Sequence, residues 1–479
     1  MANKHESYAA THDTVDASPV KSFFVEMLTR DIELEDAILD LLDNCIDGIL
    51  RTNQGKRALK RQPYKGYDAV IEFDENKFKI ADNCGGIPDC LMDYAFRMGR
   101  AGDRKSDTVG TVGVYGIGLK RAIFKMGRQC KISTQNKDHR YDIEILPDWF
   151  SSKKKDDWKL PIKDNDNVMD ENGTVIEVAD LYSSVAKRFG EDKEVFLQEL
   201  ESRISTHFAF ILKKGFSITL NNTKVSPMPI NLVFAGNDKD KKNKVQPYVF
   251  KGDIKGVEVY LAVGFTRPIP SPDEVDDDQI SRRYSSQNAG WTVICNDRVV
   301  LYCDRTELTG WGEAGIPRFH YQFIAISGIV EFRSSDPSKL PTTTTKRGIE
   351  ASSRTYLQVK NKMRDGMRLF IDYTNAWKER EKEAKSHILG KKAFSLDEIK
   401  TKISKFRKTV GAVKGFQYTP HLPMPAKPKN NVVRIRFQRN AEDIRCVAEY
   451  LSLDADEDAA VVAEKCFNLI LEEARSNEA

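Results

Sequence analysis

Residues 31–50 read DIELEDAILDLLDNCIDGIL, and five of their polar side chains could do chemistry together. At about 100° per residue, Asp36, Asp40, Asp43, Asn44 and Asp47 share one arc of a helix, while Ile38, Leu41, Leu42, Cys45 and Ile49 take the other side. Like charges three and four residues apart repel by about 0.2–0.5 kcal/mol per pair, so a helix that keeps them in line needs a cation. Carboxylate and amide oxygens are hard ligands that suit Mg²⁺, which brings phosphates with it. A solvated acidic face is the plain alternative.

Two glycine stretches favour the phosphate. The first, Asn83-Cys84-Gly85-Gly86-Ile87-Pro88, forces a tight loop just after Asp82. Asp82 there is either the head of an Asp-turn or an acceptor for a purine amino group in an apolar pocket. The second runs from Gly110 through Gly113, Gly116 and Gly118 to Lys120. Its glycines let backbone approach a ligand, and a helix opening near Gly118 aims free N–H groups at an anion. Lys120 in the first turn opposes the helix dipole unless a phosphate lies in front of it. The spacing is neither a P-loop nor a dinucleotide fingerprint.

These residues need scaffolding. Residues 19–28 read as a short helix, Asp31 as the N-cap of the acidic helix, and residues 67–82 as a hairpin whose second strand ends at Asp82. The chain is 479 residues long, enough for two or three cores, and its net charge of +4 (75 Lys and Arg against 71 Asp and Glu) does not announce a nucleic-acid binder. The eight cysteines show no paired zinc spacing, and scattered thiols fit a reducing cytoplasm. The longest apolar run, residues 321–332, falls short of the roughly 20 residues of a membrane helix, and the N-terminus lacks the apolar stretch of a signal peptide. No membrane association is expected.

In order, the acidic helix with its Asn, the turn Asp82–Gly86 and the glycine segment ending in Lys120 resemble the nucleotide site of the GHKL ATPase superfamily. Its members include gyrase-type topoisomerases, MutL repair proteins, a heat-shock chaperone, histidine kinases and microrchidia-type ATPases. Residues 172–178, NGTVIEV, are similar to the Gly-Thr strand that closes the adenine pocket in that superfamily. The resemblance implies ATP and Mg²⁺ as cofactors and an N-terminal Bergerat-type α/β sandwich over residues 18–225. It makes Asn44 the metal ligand with Asp47 beside it, and Asp82 the adenine anchor. It assigns the base pocket to Gly86, Ile87 and Thr174, and the phosphates to Gly113, Val114, Tyr115, Gly116, Ile117, Gly118, Leu119 and Lys120. Residues 98–112 become a lid over ATP.

Two departures matter. Hydrolytic members carry Glu four residues before the Asn, where this chain has Asp40, one methylene shorter; Asp40 is the expected general base, with slow turnover. Cys84 stands at the first glycine of the family's Asp-turn.

Beyond residue 226, alternating strands at 257–265, 290–303 and 321–332 precede helical texture at 351–377, the mark of a second α+β domain over 226–377. The resemblance makes it a transducer whose Lys346, in PTTTTKRG, touches the γ-phosphate. Trp291, Asn296, Arg298, Trp311 and His320 receive only core and turn roles. A charged helical connector is expected over 378–414, a proline-rich linker over 415–431 and a strand-helix-helix module over 432–479. That module is similar to ribbon-helix-helix proteins, which would present Arg434, Arg436 and Gln438 to DNA, or it serves dimerisation. The whole reads as an α+β, Mg-dependent ATP hydrolase, nearest to microrchidia-like proteins. It would close as a homodimeric clamp on ATP and act on DNA, in genome defence, or on a protein client as a chaperone would. A non-hydrolysing ATP-binding adaptor is the alternative.

Overall fold

Alternating apolar residues on either side of an Asp-headed turn build the hairpin that seeds the first sheet. Strands β1 (Asp68–Phe73) and β2 (Phe78–Asp82) pair antiparallel, with Ala69 opposite Asp82 and Phe73 opposite Phe78. The Asp74 carboxylate closes the turn by accepting the N–H of Asn76 at 2.8 Å and of Lys77 at 3.1 Å. The computed structural model describes residues 20–52, 62–97, 117–137, 139–151, 158–235, 245–275, 288–343, 346–403, 415–425, 435 and 437–477. The chain is mixed α+β and divides into two compact units, Met1–Met424 and Pro425–Ala479.

In the larger unit, β3 (Gly127–Asn136), β4 (His139–Ile145), β5 (Ile162–Asp164), β6 (Gly173–Leu181), β7 (Ser217–Leu220) and β8 (Thr223–Lys224) complete an eight-stranded sheet of order β5-β4-β3-β6-β2-β1-β7-β8. Only the β1–β7 pairing is parallel. Every second residue of β1 is buried, the signature of a sheet covered on one side. The helices Leu34–Thr52, Gly118–Met126 and Lys193–His207 share a single core with the strands, built from Leu42, Ile46, Ile123, Phe196, Ile71 and Phe78 among others. Each such side chain contributes about 1.5–3 kcal/mol on burial.

A second sheet follows. Strands β9 (Asn231–Val233), β10 (Tyr248–Ile254), β11 (Val257–Phe265), β12 (Gly290–Cys295), β13 (Arg298–Asp304), β14 (Ile326–Arg333), β15 (Ala393–Ser395) and β16 (Gly415–Tyr418) form a six-stranded sheet, β13-β12-β14-β11-β10-β16, and a separate β15-β9 pair. The helix Arg354–Ala376 packs on one face with Phe265, Phe370 and Tyr373, while Phe210, Leu232 and Ile399 lie in a core with Ile294 and Ile329 from the other. All six residues of β12 are buried, as covering on both faces requires.

Several element boundaries differ from those the sequence predicts. The acidic helix starts at Leu34, not at an Asp31 cap, since the first helical carbonyl engaged is that of Glu33. Residues 321–332 begin with a 3-10 turn, Tyr321–Phe323, whose Gln322 N–H is accepted by His320 Nδ1 at 3.3 Å; the strand starts at Ile326. Gly415–Tyr418, read as the start of the linker, is an edge strand on β10, from Val249 opposite Tyr418 to Gly252 opposite Gly415.

The second unit contains the helices Ala441–Tyr450 and Ala459–Asn477, close to the expected pair. Of the expected strand, residues 432–434 and 436 lie outside the described residues, Arg434 and Arg436 with them, while Ile435, Phe437 and Gln438 are exposed and in no strand. Among the described residues no helix is long and apolar enough to cross a membrane.

Candidate functional site

The acidic helix is buried on every side but one. From Leu34 to Leu50 each residue is buried except Asn44, which is exposed. Glycine opens the way for close approach: a side chain at Gly48 would meet the Cys84 carbonyl oxygen at 2.6 Å, so the helix and the Asp-turn touch through their main chains. The same turn holds Gly85 at φ 95° and Gly86 at φ 62°, left-handed conformations that favour glycine, and a Cβ on Gly86 would lie 1.9 Å from the Gln135 carbonyl oxygen. Asp82 heads this turn as an acceptor: its Oδ1 takes the Cys84 N–H at 2.8 Å, and its Oδ2 takes the Cys45 thiol at 3.5 Å. Burial pushes the Asp82 carboxyl up to about 6, against those hydrogen bonds.

Asp82, Thr174 and Thr134 sit side by side across β2, β6 and β3. The Thr134 hydroxyl lies 3.1 Å from that of Thr174 and accepts the Ile87 N–H at 2.8 Å. This brings together four of the residues expected around a base, Asp82, Gly86, Ile87 and Thr174. Thr134 was missed; a polar pair, Ser133-Thr134, inside an otherwise strand-like run was its only signal.

The acidic arc finds its cations within the chain. Asp36 pairs with Arg347 and, at 3.3 Å, with Arg203. Asp40 pairs with Arg121, from the first turn of Gly118–Met126. Gly118 opens that helix beside Asp40, where a Cβ would stand 3.5 Å from the Asp40 side chain, in ordinary contact. Asp43, 1% exposed, receives Arg298 Nε at 3.0 Å and Lys346 Nζ at 2.9 Å. Burial raises its carboxyl, but Lys346 and Arg298 outweigh that and hold it below the usual carboxylate range. Burial likewise pulls the Lys346 amine down, and Asp43, Asp40 and Asp47 outweigh it and leave it raised.

So Lys346 does reach the acidic arc, from a loop 303 residues downstream where it takes φ 56°. Asp47 is buried on that arc. Lys120 is buried too, but its Nζ donates to the Ala95 carbonyl at 2.8 Å, beside the short helix Met92–Phe96. Ile117 precedes the Gly118 helix and Leu119 packs against the first core. Gly113, Val114, Tyr115 and Gly116 lie outside the described residues, as does the lid at 98–112.

Arg298 does more than the core and turn role read for it. It leaves the tight Asn296-Asp297 turn between β12 and β13, where both residues have positive φ, and its guanidinium stacks 4.5 Å from the Phe208 ring centroid. Asp297 beside it is 1% exposed and accepts Tyr64 Oη at 2.8 Å, Lys214 Nζ at 2.6 Å and Arg333. Two neighbouring residues of the second sheet thereby grip the first sheet's layer at separate points.

The pattern can hold a polar ring at Asp82, present an amide oxygen at Asn44 and bring a cation to the same arc. A family model described as "Histidine kinase-, DNA gyrase B-, and HSP90-like ATPase" matches residues 32–174, from just before the acidic helix to Thr174. No curated protein matches the chain. The family match supports the GHKL superfamily for this stretch, and with it an ATPase domain that binds ATP.

Proposed function

We propose that the protein is a Mg²⁺-dependent ATPase that uses slow hydrolysis to switch conformation. The observation that carries this reading is the gap in the buried helix: Asn44 alone is exposed between Leu34 and Leu50, on the arc that Lys346 reaches from the second sheet's loop. The donor set suits the metal, because Mg²⁺ takes one or two protein oxygens and completes its shell with phosphate and water. Bound there, Mg²⁺ would supply neutralisation of phosphate charge.

The chain's own residues do the rest. Asp82 accepts the adenine amino group, Gly86 leaves room for the ring, and Thr174 and Thr134 fix the pocket edge. Gly118 starts a helix whose free N–H groups face phosphate, with Lys120 in its first turn. Asp40 orients the attacking water and Arg121 holds Asp40 in place. Lys346 meets the terminal phosphate. Transfer to water depends mostly on such positioning and charge neutralisation.

A second reading, a non-hydrolysing ATP-binding adaptor, is favoured by the same Asp40–Arg121 pair, which occupies the would-be base. Phosphate release separates the two. Wild type should outpace Asp40→Asn by about 10²-fold or more with ATP binding retained; a wild-type rate no higher than the variant's removes hydrolysis and leaves the adaptor.

The wider role follows as part of the same proposal: a cytoplasmic, microrchidia-like clamp that dimerises on ATP and encloses DNA, in genome defence, or handles a protein client. Eight free thiols support the reducing compartment. DNA affinity that falls steeply with salt favours the clamp, and its absence favours the protein client.

A further inference from the structure

Asp43 carries two cations of unlike character. Arg298 is fixed: it is 3% exposed at its side chain, donates Nη1 to the Val299 carbonyl at 3.0 Å as well as Nε to Asp43, and stacks on Phe208. Lys346 is held differently. Its side chain is 14% exposed, it is followed closely by Gly348, whose carbonyl accepts the Thr343 N–H at 3.1 Å, and a flexible four-carbon stem ends in Nζ. A carboxylate buried as deeply as Asp43 cannot be left without a cation. With Arg298 in place, Lys346 can leave and Asp43 stays paired.

We propose that Asp43 is an exchange partner for Lys346: the amine moves between this carboxylate and the terminal phosphate of a nucleoside triphosphate, Arg298 keeps Asp43 neutralised in either position, and the strength of the Asp43 contact sets how far triphosphate is preferred over diphosphate. Asp43 is then a specificity-determining residue that touches no nucleotide, which distinguishes it from Asp40 three residues earlier. The proposal rests on the nucleotide reading of the Asn44–Asp82 site. Its direction is unusual for a buried acid in a site, because weakening Asp43 should improve binding. The amine would no longer have to abandon a carboxylate, while Asp40 and Asp47 still hold its charge near the arc.

The test measures affinities of the full chain for ADP and for the imido, non-hydrolysable analogue of ATP at saturating Mg²⁺, in wild type, Asp43→Asn, Lys346→Met and the double variant. Asp43→Asn should tighten the triphosphate analogue by about tenfold and leave ADP within about twofold. In the Lys346→Met background the same substitution should do nothing to the ratio, a result that a merely structural Asp43 would not give. An unmoved ratio in Asp43→Asn, or an equal shift with and without Lys346, overturns the proposal. Lys346→Met leaves Asp43 paired with Arg298 and carries the test if Asp43→Asn does not fold: it should lose the triphosphate preference, and retention of that preference is equally fatal. A wild-type chain that binds neither nucleotide sinks the site reading together with this proposal, whereas binding of both with these ratios unmoved sinks the proposal alone.

Discussion

The larger unit buries charge, and the C-terminal unit exposes apolar side chains. Between the two sheets, Asp43, Asp297, Glu331 and Arg298 are each at most 2% exposed, and each is paired. In the helices Ala441–Tyr450 and Ala459–Asn477, Ala448 and Val462 are the buried apolar residues among those described, while Tyr450 is 81% exposed and Phe467 and Ile470 are 55% exposed. The two regions therefore draw their stability from different sources. A buried ion is costly unless its partner is held in one geometry, so the junction is stable only as a fixed arrangement. A helix pair with so little interior gains little from its own packing.

The largest effect lies at the buried junction. Asp297→Ala strands Lys214 and Arg333 beside Tyr64 with no common acceptor, and should cost about 3–5 kcal/mol in urea unfolding of the larger unit. A loss below about 1 kcal/mol would make this junction no different from an exposed ion pair.

The next effect is a matter of pH. Burial, with Arg298 alongside, pulls His207 from 6.5 to about 4, so the unfolded chain takes up that proton first and stability falls as pH drops through this window. Asp82 works against it. Its carboxyl rises from 3.8 to about 6, so the folded chain keeps the proton longer and stability falls as pH rises from 3.8 to about 6. The two slopes oppose over most of the same range. Asp82→Asn removes one of them, and unfolding free energies at pH 6.5 and 4, measured in urea, should then differ by about 2–3 kcal/mol more than in wild type. Parallel pH profiles for the two proteins would show that Asp82 is not held in the way its surroundings imply.

The smallest effect belongs to the tail. Phe467→Ser should change unfolding stability by less than about 0.5 kcal/mol, read from the thermal midpoint. A change of several degrees would mean that this exposed ring is covered in solution, and the contrast between the units would narrow.

Much of the candidate site's scaffold was legible where the physics is local. The arc from Asp36 to Asp47, the hairpin ending at Asp82 and the helix start at Gly118 all follow from periodicity, turn residues and glycine placement, and β11 occupies the residues expected of it. What was not legible depends on long-range pairing. Arg298 lies 255 residues from Asp43, and its segment Cys295-Asn-Asp-Arg-Val reads as an ordinary hairpin tip until the second sheet is set against the acidic helix. Arg121 sits beside the anticipated Lys120, yet helix rotation gives Asp40 to the arginine and sends the lysine to Ala95. Gly415–Tyr418 is too short and too near Pro420 to announce a strand; only the free edge of β10 makes it one.

The contact at Gly48 limits what substitution can do here. Because the helix that bears Asn44 abuts the loop headed by Asp82 through main-chain atoms, the spacing of the two elements is gauged by backbone and not by rotamers. Side-chain substitutions on either element change what its surface offers and leave that spacing as it is.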